Sequence, residues 1–124
     1  MIKKYSGCCH CKRVKFQFLS YTNVDILKCN CSICSMTEYQ HLIIKHINFK
    51  LIKGKKCLIP YSFNTKKASH LFCKVCGIKS FYQPRSHPDS YSINYKCIKD
   101  PPKVRKIIFF NGKNFKQALK ELNK

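Results

Sequence analysis

The sequence has 124 residues and a formal net charge of +20 at pH 7, because 25 lysines and arginines face only 5 aspartates and glutamates. This length predicts a single domain, residues 1–124. The sequence lacks an apolar run of the roughly 18 residues that a membrane-spanning helix requires, and its first residues lack the apolar core of a signal peptide. We therefore expect a cytoplasmic or nuclear protein without a membrane span, in a reducing compartment where cysteines stay unpaired.

The positive charge admits two interpretations. It would attract an acidic partner, such as nucleic acid, a cytoskeletal surface or an anionic lipid. Alternatively, it reflects a lysine-rich composition of the kind that an AT-rich coding sequence produces. Arginine, which reads phosphates and base edges better than lysine, occurs only at Arg13, Arg85 and Arg105. The lysines are scattered rather than clustered, so we favour the compositional interpretation and keep the acidic partner as the alternative.

Segments with β-strand character follow one another along most of the chain. Val14, Phe16 and Phe18 alternate with polar residues, which is the pattern of a half-buried strand. Later segments are rich in β-branched and aromatic residues, and Pro60 marks one of them as an edge strand or a bulge. Strands are predicted at residues 14–18, 24–29, 39–47, 49–52, 58–63, 69–73, 91–97 and 104–110, with a strand or metal-binding knuckle at 5–11.

A short helix is predicted at the C-terminal end. Asn114 can cap it, and Gln117 lies three residues later in the capping-box position. Phe115, Ala118, Leu119 and Leu122 would then share one apolar face. The predicted fold class is therefore mostly β with one C-terminal helix.

The ten cysteines group by their spacing. In a reducing compartment such groups indicate metal ligation rather than disulfides. They form a C-x-C pair, a C-x-C-x-x-C triplet, a C-x-x-C pair and three isolated residues: Cys9 and Cys11; Cys29, Cys31 and Cys34; Cys73 and Cys76; and Cys8, Cys57 and Cys97. The two pairs together make four thiolates, which is a closed structural site of the zinc type.

The triplet has two interpretations that its spacing alone leaves open. Three thiolates with a free fourth position suit a zinc ion that can do chemistry. A cysteine from elsewhere in the chain could instead complete a second closed site. An open site would make the protein an enzyme candidate, whereas a closed one would make the triplet a structural element.

Three stretches carry a family resemblance. Residues 7–16 (GCCHCKRVKF) resemble the opening G-S-C-H-C-G-x-V-x-F of the glutathione-dependent formaldehyde-activating enzyme family, which also contains centromere protein V. Residues 29–34 (CNCSIC) are similar to its C-N-C-S-x-C centre, and residues 71–78 (LFCKVCGI) to its x-F-C-x-x-C-G-I. Residues 80–89 (SFYQPRSHPD) resemble a loop of the centromere protein V branch. These stretches occur in the family's order over nearly the whole chain.

The resemblance implies a Mss4-like fold of curled antiparallel sheets with two Zn²⁺ ions. A structural zinc would be held by Cys9, Cys11, Cys73 and Cys76, and a working zinc by Cys29, Cys31 and Cys34. The implied activity is the addition of glutathione or a similar thiol to formaldehyde or a related aldehyde, which is carbon–sulfur lyase chemistry run in reverse. The alternative within the family is a non-catalytic zinc module that binds chromatin or cytoskeleton through its basic surface.

The sequence departs from the family pattern at Cys8, where serine is usual, and at Lys12, where glycine is usual. The segment Ser35-Met36-Thr37 also lacks the basic residue and glycine often found there, which bears on substrate access. Other candidate residues have a structural and a functional interpretation. His70 is either a structural histidine or an acid–base group, and the loop bearing Arg85, His87 and Asp89 is either a rigid surface loop or a lining of the working site.

Overall fold

The computed structural model describes residues 1–63, 68–111 and 120, and its architecture is mostly β, as predicted. A six-residue helix, α1 (Ser32–Thr37), interrupts the strands, and single 3-10 turns lie at His46–Asn48, Lys55–Cys57 and Tyr95–Cys97. The strands are β1 (Ile2–Cys8), β2 (Lys15–Tyr21), β3 (Asn23–Cys29), β4 (Gln40–Lys45), β5 (Phe49–Lys53), β6 (Leu58–Tyr61), β7 (Ser69–Cys73), β8 (Phe81–Gln83), β9 (Ser90–Asn94), β10 (Ile98–Lys99) and β11 (Lys103–Phe110).

The strands form two sheets. One has the order β10-β1-β2-β5 and the other the order β11-β3-β4-β9-β8-β7-β6. Within the described residues, β3 and β11 pair in parallel, and the other strand pairs are antiparallel. Pro60 lies in β6, the outermost strand of the larger sheet, as its missing N–H predicts.

The predicted alternation in β2 places its apolar residues in the core. Val14, just before the strand, and Phe16 are fully buried, and Phe18 is 2% exposed. The Phe16 ring lies 5.6 Å from that of Phe49 in the same sheet and 5.9 Å from that of Phe81 in the other sheet. Burial of each such side chain stabilises the fold by about 1.5–3 kcal/mol. Aromatic packing therefore joins the two sheets.

The strand predicted at residues 91–97 is too long, because β9 ends at Asn94 and a 3-10 turn follows. The Asn94 side chain accepts a hydrogen bond from the Lys96 backbone N–H at 3.2 Å and donates one to the Lys79 carbonyl at 3.1 Å. Such a side chain offers the backbone a local partner that competes with the strand ladder. The apolar alternation at Tyr95 and Cys97 continues past the point where the strand stops.

The helix α1 differs from the predicted helix. The predicted C-terminal helix from Asn114 to Leu122 falls on residues that lie, except for Lys120, outside the described part of the chain. The helix α1 was not predicted, since six residues are too few to establish a helical period. It ends at Glu38, whose φ is +50°. In the described residues, no helix has the length and apolarity needed to cross a membrane.

Candidate functional site

Two backbone turns bring four cysteine sulfurs together. In the turn after β1, Lys12 has a φ of +67°, and its N–H donates to the Cys9 carbonyl at 3.1 Å. In the turn after β7, Gly77 has a φ of +76°, and its N–H donates to the Cys73 carbonyl at 2.7 Å. Glycine adopts this left-handed backbone without a steric penalty. The four-cysteine cluster consists of Cys9, Cys11, Cys73 and Cys76, whose sulfurs all lie within 4.8 Å of one another.

The spacing of these sulfurs matches a tetrahedral metal site. Thiolates about 2.3 Å from a zinc ion lie roughly 3.8 Å from one another. The Cys11 sulfur is 3.6 Å from the sulfurs of both Cys9 and Cys73. The backbone N–H groups of Val14 and Val75 donate to the Cys9 and Cys73 sulfurs at 3.4 Å, which favours the thiolate form. The cluster can hold a metal ion with ligands from the protein alone.

The thiols of the four-cysteine cluster are in unequal environments. Burial raises the pKa of Cys9 to about 11. Hydrogen bonds from the Arg13 backbone, and further from the Arg13 side chain, lower the pKa of Cys11 to about 6. Arg13 itself is exposed. An exposed guanidinium therefore supplies the positive charge next to this cluster.

The triplet cluster, Cys29, Cys31 and Cys34, forms where β3 leads into α1. Cys29 ends the strand, Cys31 caps the helix and Cys34 lies within it. Their three sulfurs lie within 4.8 Å of one another, and the Cys31 backbone N–H donates to the Cys29 sulfur at 3.4 Å. Cys34 is buried, and the other two are half-buried. This cluster can also hold a metal ion, with three protein ligands.

Each thiol pKa in the triplet cluster depends on the other two thiols. Hydrogen bonds with Cys29 and Cys34 lower the pKa of Cys31 to about 2. Hydrogen bonds with Cys29 and Cys31 raise the pKa of Cys34 far above its usual range. One thiolate is therefore favoured and three together are not, unless a cation neutralises them. A metal ion supplies that positive charge.

A group of buried polar and aromatic side chains accompanies the triplet cluster, and we call it the polar cluster. The Lys79 ammonium lies 4.6 Å from the centre of the Tyr39 ring and 4.3 Å from that of the Tyr82 ring. It also lies 3.0 Å from Nδ1 of His70. The polar cluster consists of Tyr39, His41, His70, Lys79 and Tyr82, each at most 9% exposed.

The register of the larger sheet brings three members of the polar cluster together, namely His41, His70 and Tyr82. Ser92 of β9 pairs with Tyr82 of β8, and Tyr82 pairs with His70 of β7. On the other side, Ser92 pairs with Ile43 of β4. His41 lies two residues before Ile43 and therefore projects from the same face of the sheet. One row of neighbouring positions thus places these polar side chains side by side.

Charges couple the polar cluster to the triplet cluster. Burial lowers the pKa of Lys79, while the charges of all three triplet thiols act to raise it. Burial lowers the pKa of His70 to about 4, and the Cys31 charge opposes that shift. A buried cation, rather than an exposed one, therefore faces the triplet thiolates.

His41 has one satisfied ring nitrogen and one unsatisfied one. Its Nδ1 lies 2.8 Å from the Ser92 hydroxyl and 3.1 Å from the Tyr82 hydroxyl. Its Nε2 is buried and has no hydrogen-bond partner among the described residues. Burial, and next the Lys79 charge, lowers the pKa of His41 to about 3, so the ring is neutral near pH 7.

Comparison with known proteins identifies the family. A model of the glutathione-dependent formaldehyde-activating enzyme family matches residues 4–111. The chain belongs to this family. A crystal structure of a Rhodobacter sphaeroides protein matches the fold with a TM-score of 0.70 at 30% sequence identity, over 77% of this chain and 88% of that one. The formaldehyde-activating match includes both cysteine clusters and the polar cluster.

The structure brings together the two cysteine groups that the spacing and the formaldehyde-activating resemblance predicted. His70 belongs to neither group of sulfurs and instead contacts Lys79. In the proline-rich loop, His87 contacts the Ser86 hydroxyl at 2.8 Å, and Asp89 forms an ion pair with Lys45 at 3.3 Å. The choice between a rigid surface loop and a lining of the working site stays a prediction, since a charge on His87 also acts to lower the pKa of His41.

Sequence reasoning missed four members of the polar cluster. Tyr39 and His41 lie on either side of Gln40, so the two-residue period of a strand places them on one face. Both residues follow Cys34 closely in the sequence. That pattern could have flagged both residues. Lys79 gave no such signal, because one buried lysine among this many lysines is distinguishable only through its tertiary contacts.

Proposed function

We propose that this protein is a zinc-dependent carbon–sulfur lyase-like enzyme that adds glutathione or a similar thiol to formaldehyde or a related aldehyde. Cys29, Cys31 and Cys34 would hold the working zinc, and the four-cysteine cluster a structural zinc. The observation that carries the proposal is the difference in ligand number, since three protein thiolates leave a tetrahedral zinc one position for an external group. The family match supports the thiol and aldehyde as substrates.

The reaction joins two simple groups. The sulfur of the thiolate forms a bond to the aldehyde carbon, and the π electron pair of the C=O bond moves to oxygen. The oxygen then takes up one proton, and the thiol has lost one, so atoms and charge balance. A zinc ion bound by the triplet would lower the pKa of a coordinated thiol and so supply the thiolate at neutral pH.

Residues of the chain would provide the surroundings for this step. Three thiolates and one Zn²⁺ carry a net charge of −1, and the Lys79 ammonium is positioned to offset it. The rings of Tyr39 and Tyr82 enclose that ammonium and exclude water, which strengthens its electrostatic effect. The positive charge of the chain would attract anionic glutathione.

Metal analysis and exchange kinetics test the proposal together. Protein purified under reducing conditions should contain two zinc ions per chain and accelerate the interconversion of glutathione, formaldehyde and their adduct, followed by NMR exchange spectroscopy. Cys31→Ser should keep one zinc and lose the acceleration. Cys8→Ser, which restores the residue usual in the family, should keep both zinc ions and the acceleration.

Two experimental outcomes would reject parts of the proposal. One zinc per chain with the triplet thiols free to react with a thiol reagent would reject the working zinc. A Cys31→Ser protein as fast as the wild type would reject the role of the triplet. The matches above give no support to a non-catalytic module that binds chromatin or cytoskeleton, so that alternative stays a prediction for a salt-dependent binding assay.

A further inference from the structure

The unsatisfied ring nitrogen of His41 lies beside the proposed reaction site. The His41 residue is 4% exposed, and its ring packs 4.6 Å from the Tyr39 ring and 5.7 Å from the Tyr82 ring, measured between centres. Natural proteins leave few buried polar atoms without a partner, because the lost hydrogen bond to water is not replaced. Since Nε2 has no partner within residues 1–63 and 68–111, it is available to a hydrogen-bond partner from a ligand.

The hydrogen bonds at Nδ1 determine which nitrogen carries the proton. The Tyr82 side chain is buried, and its hydroxyl contacts Nδ1 of His41 at 3.1 Å. A buried phenol proton needs an acceptor, and Nδ1 lies in position to accept it. The Ser92 hydroxyl points a second possible donor at the same nitrogen, at 2.8 Å. In a neutral ring, an accepting Nδ1 leaves the proton on Nε2, so the unsatisfied atom is a donor.

The location of this donor relative to the triplet cluster follows from two facts. The sheet register pairs His41 of β4 with Leu27 of β3, two residues before Cys29 and on the same face of that strand, and a charged Cys31 thiolate acts to raise the pKa of His41. The ring does not belong to the set of atoms within 4.8 Å of one another that the three sulfurs form. His41 is therefore near the triplet without being a member of its ligand set, where a group bound at the fourth metal position could meet it.

We propose that the Nε2–H of His41 donates a hydrogen bond to the aldehyde oxygen of the substrate and to the hydroxymethyl oxygen of the adduct. This inference rests on the proposed function. As the carbon–sulfur bond forms, the C=O electron pair moves to that oxygen, and a fixed N–H donor stabilises the developing negative charge. His41 keeps its proton throughout, and the proton that completes the hydroxyl group comes from water, while the thiol proton leaves to water.

Ring NMR of zinc-loaded, ¹⁵N-histidine-labelled protein tests the donor without requiring turnover. The His41 signals should show a protonated Nε2 and an unprotonated Nδ1. Glutathione and formaldehyde form their adduct spontaneously in water, so the adduct can be added as such. It should move the His41 Nε2–H proton signal downfield beyond any shift that glutathione alone causes, because only the adduct carries the oxygen that accepts the hydrogen bond. A protonated Nδ1, or a signal that the adduct does not move, would overturn the inference.

Kinetics of two variants test the contribution to rate. His41→Phe keeps a ring of similar size and removes the donor, and kcat/KM should fall about 10²–10³-fold at unchanged zinc content. His41→Gln keeps an N–H near the same place and should recover part of that loss. A His41→Phe protein that is folded, fully loaded and as fast as the wild type would reject the inference and leave the proposed function intact.

The two proposals can fail separately. A wild-type protein that binds the adduct with the expected NMR change but does not accelerate its formation would reject the enzyme and keep the His41 donor. If His41→Phe does not fold, His41→Gln and the NMR measurement on the wild type still decide the question.

Discussion

The two cysteine clusters use the same ligand atom and differ in what surrounds it. The four-cysteine cluster lies in two surface turns, is complete by itself and has the exposed Arg13 as its neighbouring cation. The triplet cluster has three sulfurs and is coupled to a buried cation, Lys79, held between two tyrosine rings. Water screens the first cation and not the second. The number of protein ligands and the burial of the neighbouring cation therefore separate a cluster suited to holding the fold from one suited to chemistry.

The largest expected effect is on folding. Cys73→Ser removes a fully buried ligand of the four-cysteine cluster, and metal-binding energy at such a site is folding energy. We expect a loss comparable to the whole stability of a small domain, about 5–15 kcal/mol, measured as loss of the cooperative thermal transition in circular dichroism. Cys31→Ser should retain the transition. Equal thermal stability of the two variants would erase the distinction between the clusters.

The next effect concerns the buried cation. Lys79→Met keeps the length of the side chain and removes its charge, so the triplet thiolates lose their neutralising partner. We expect the affinity of the triplet for zinc to fall about 10–100-fold, the usual range for residues that support metal ligands, as measured by chelator competition. Lys74→Met, an exposed lysine beside the four-cysteine cluster, is the control and should change neither site. Unchanged zinc affinity in Lys79→Met would show that the Lys79 charge does not support metal binding by the triplet.

Acid should destabilise the region around the triplet through His41. The folded-state pKa of about 3 lies below the unfolded value of 6.5, so the unfolded chain binds the extra proton between these values. The contribution to stability is thus present above pH 6.5 and declines as pH falls towards 3. Between pH 7 and pH 5 the wild type should lose about 2 kcal/mol more than His41→Phe, because the loss through His70, whose pKa burial also lowers, is common to both proteins. Chemical denaturation of both proteins at the two pH values measures the difference, and parallel losses would contradict it.

The smallest effect is expected at the exposed cation. Arg13→Met removes the side-chain partner of Cys11, but the backbone N–H of Arg13, which lowers the pKa of Cys11 most, remains. An exposed ion pair in water contributes little. The zinc affinity of the four-cysteine cluster should therefore change much less than the triplet affinity changes in Lys79→Met. A larger change of zinc affinity in Arg13→Met than in Lys79→Met would show that the exposed cation matters more than the buried one, contrary to this prediction.

The two cysteine groups were accessible from the sequence, because cysteine spacing is a local property. The strand β2 was equally readable, since Val14, Phe16 and Phe18 alternate along one face. The parallel pairing of β11 with β3 was not, because it joins segments about 80 residues apart and leaves no pattern in either.

The polar cluster escaped prediction for a related reason. His41, His70 and Tyr82 come from three strands, and the register of the sheet decides that they meet. Lys79 has a distinct role only because two tyrosine rings and a histidine surround it. A sequence identifies which side chains can ligate a metal more readily than which side chains will be near it.

The pairing of β11 with β3 also bears on the order in which the two centres can be completed during synthesis. Cys29 lies opposite Phe110, and the Asn30 N–H donates to the Phe110 carbonyl at 3.3 Å. All four cysteines of the four-cysteine cluster have left the ribosome once residue 76 has emerged. Phe110, which pairs with Cys29, emerges only at the end of β11. We therefore expect a nascent chain to hold all four sulfurs of the four-cysteine cluster before β11 can support the triplet cluster.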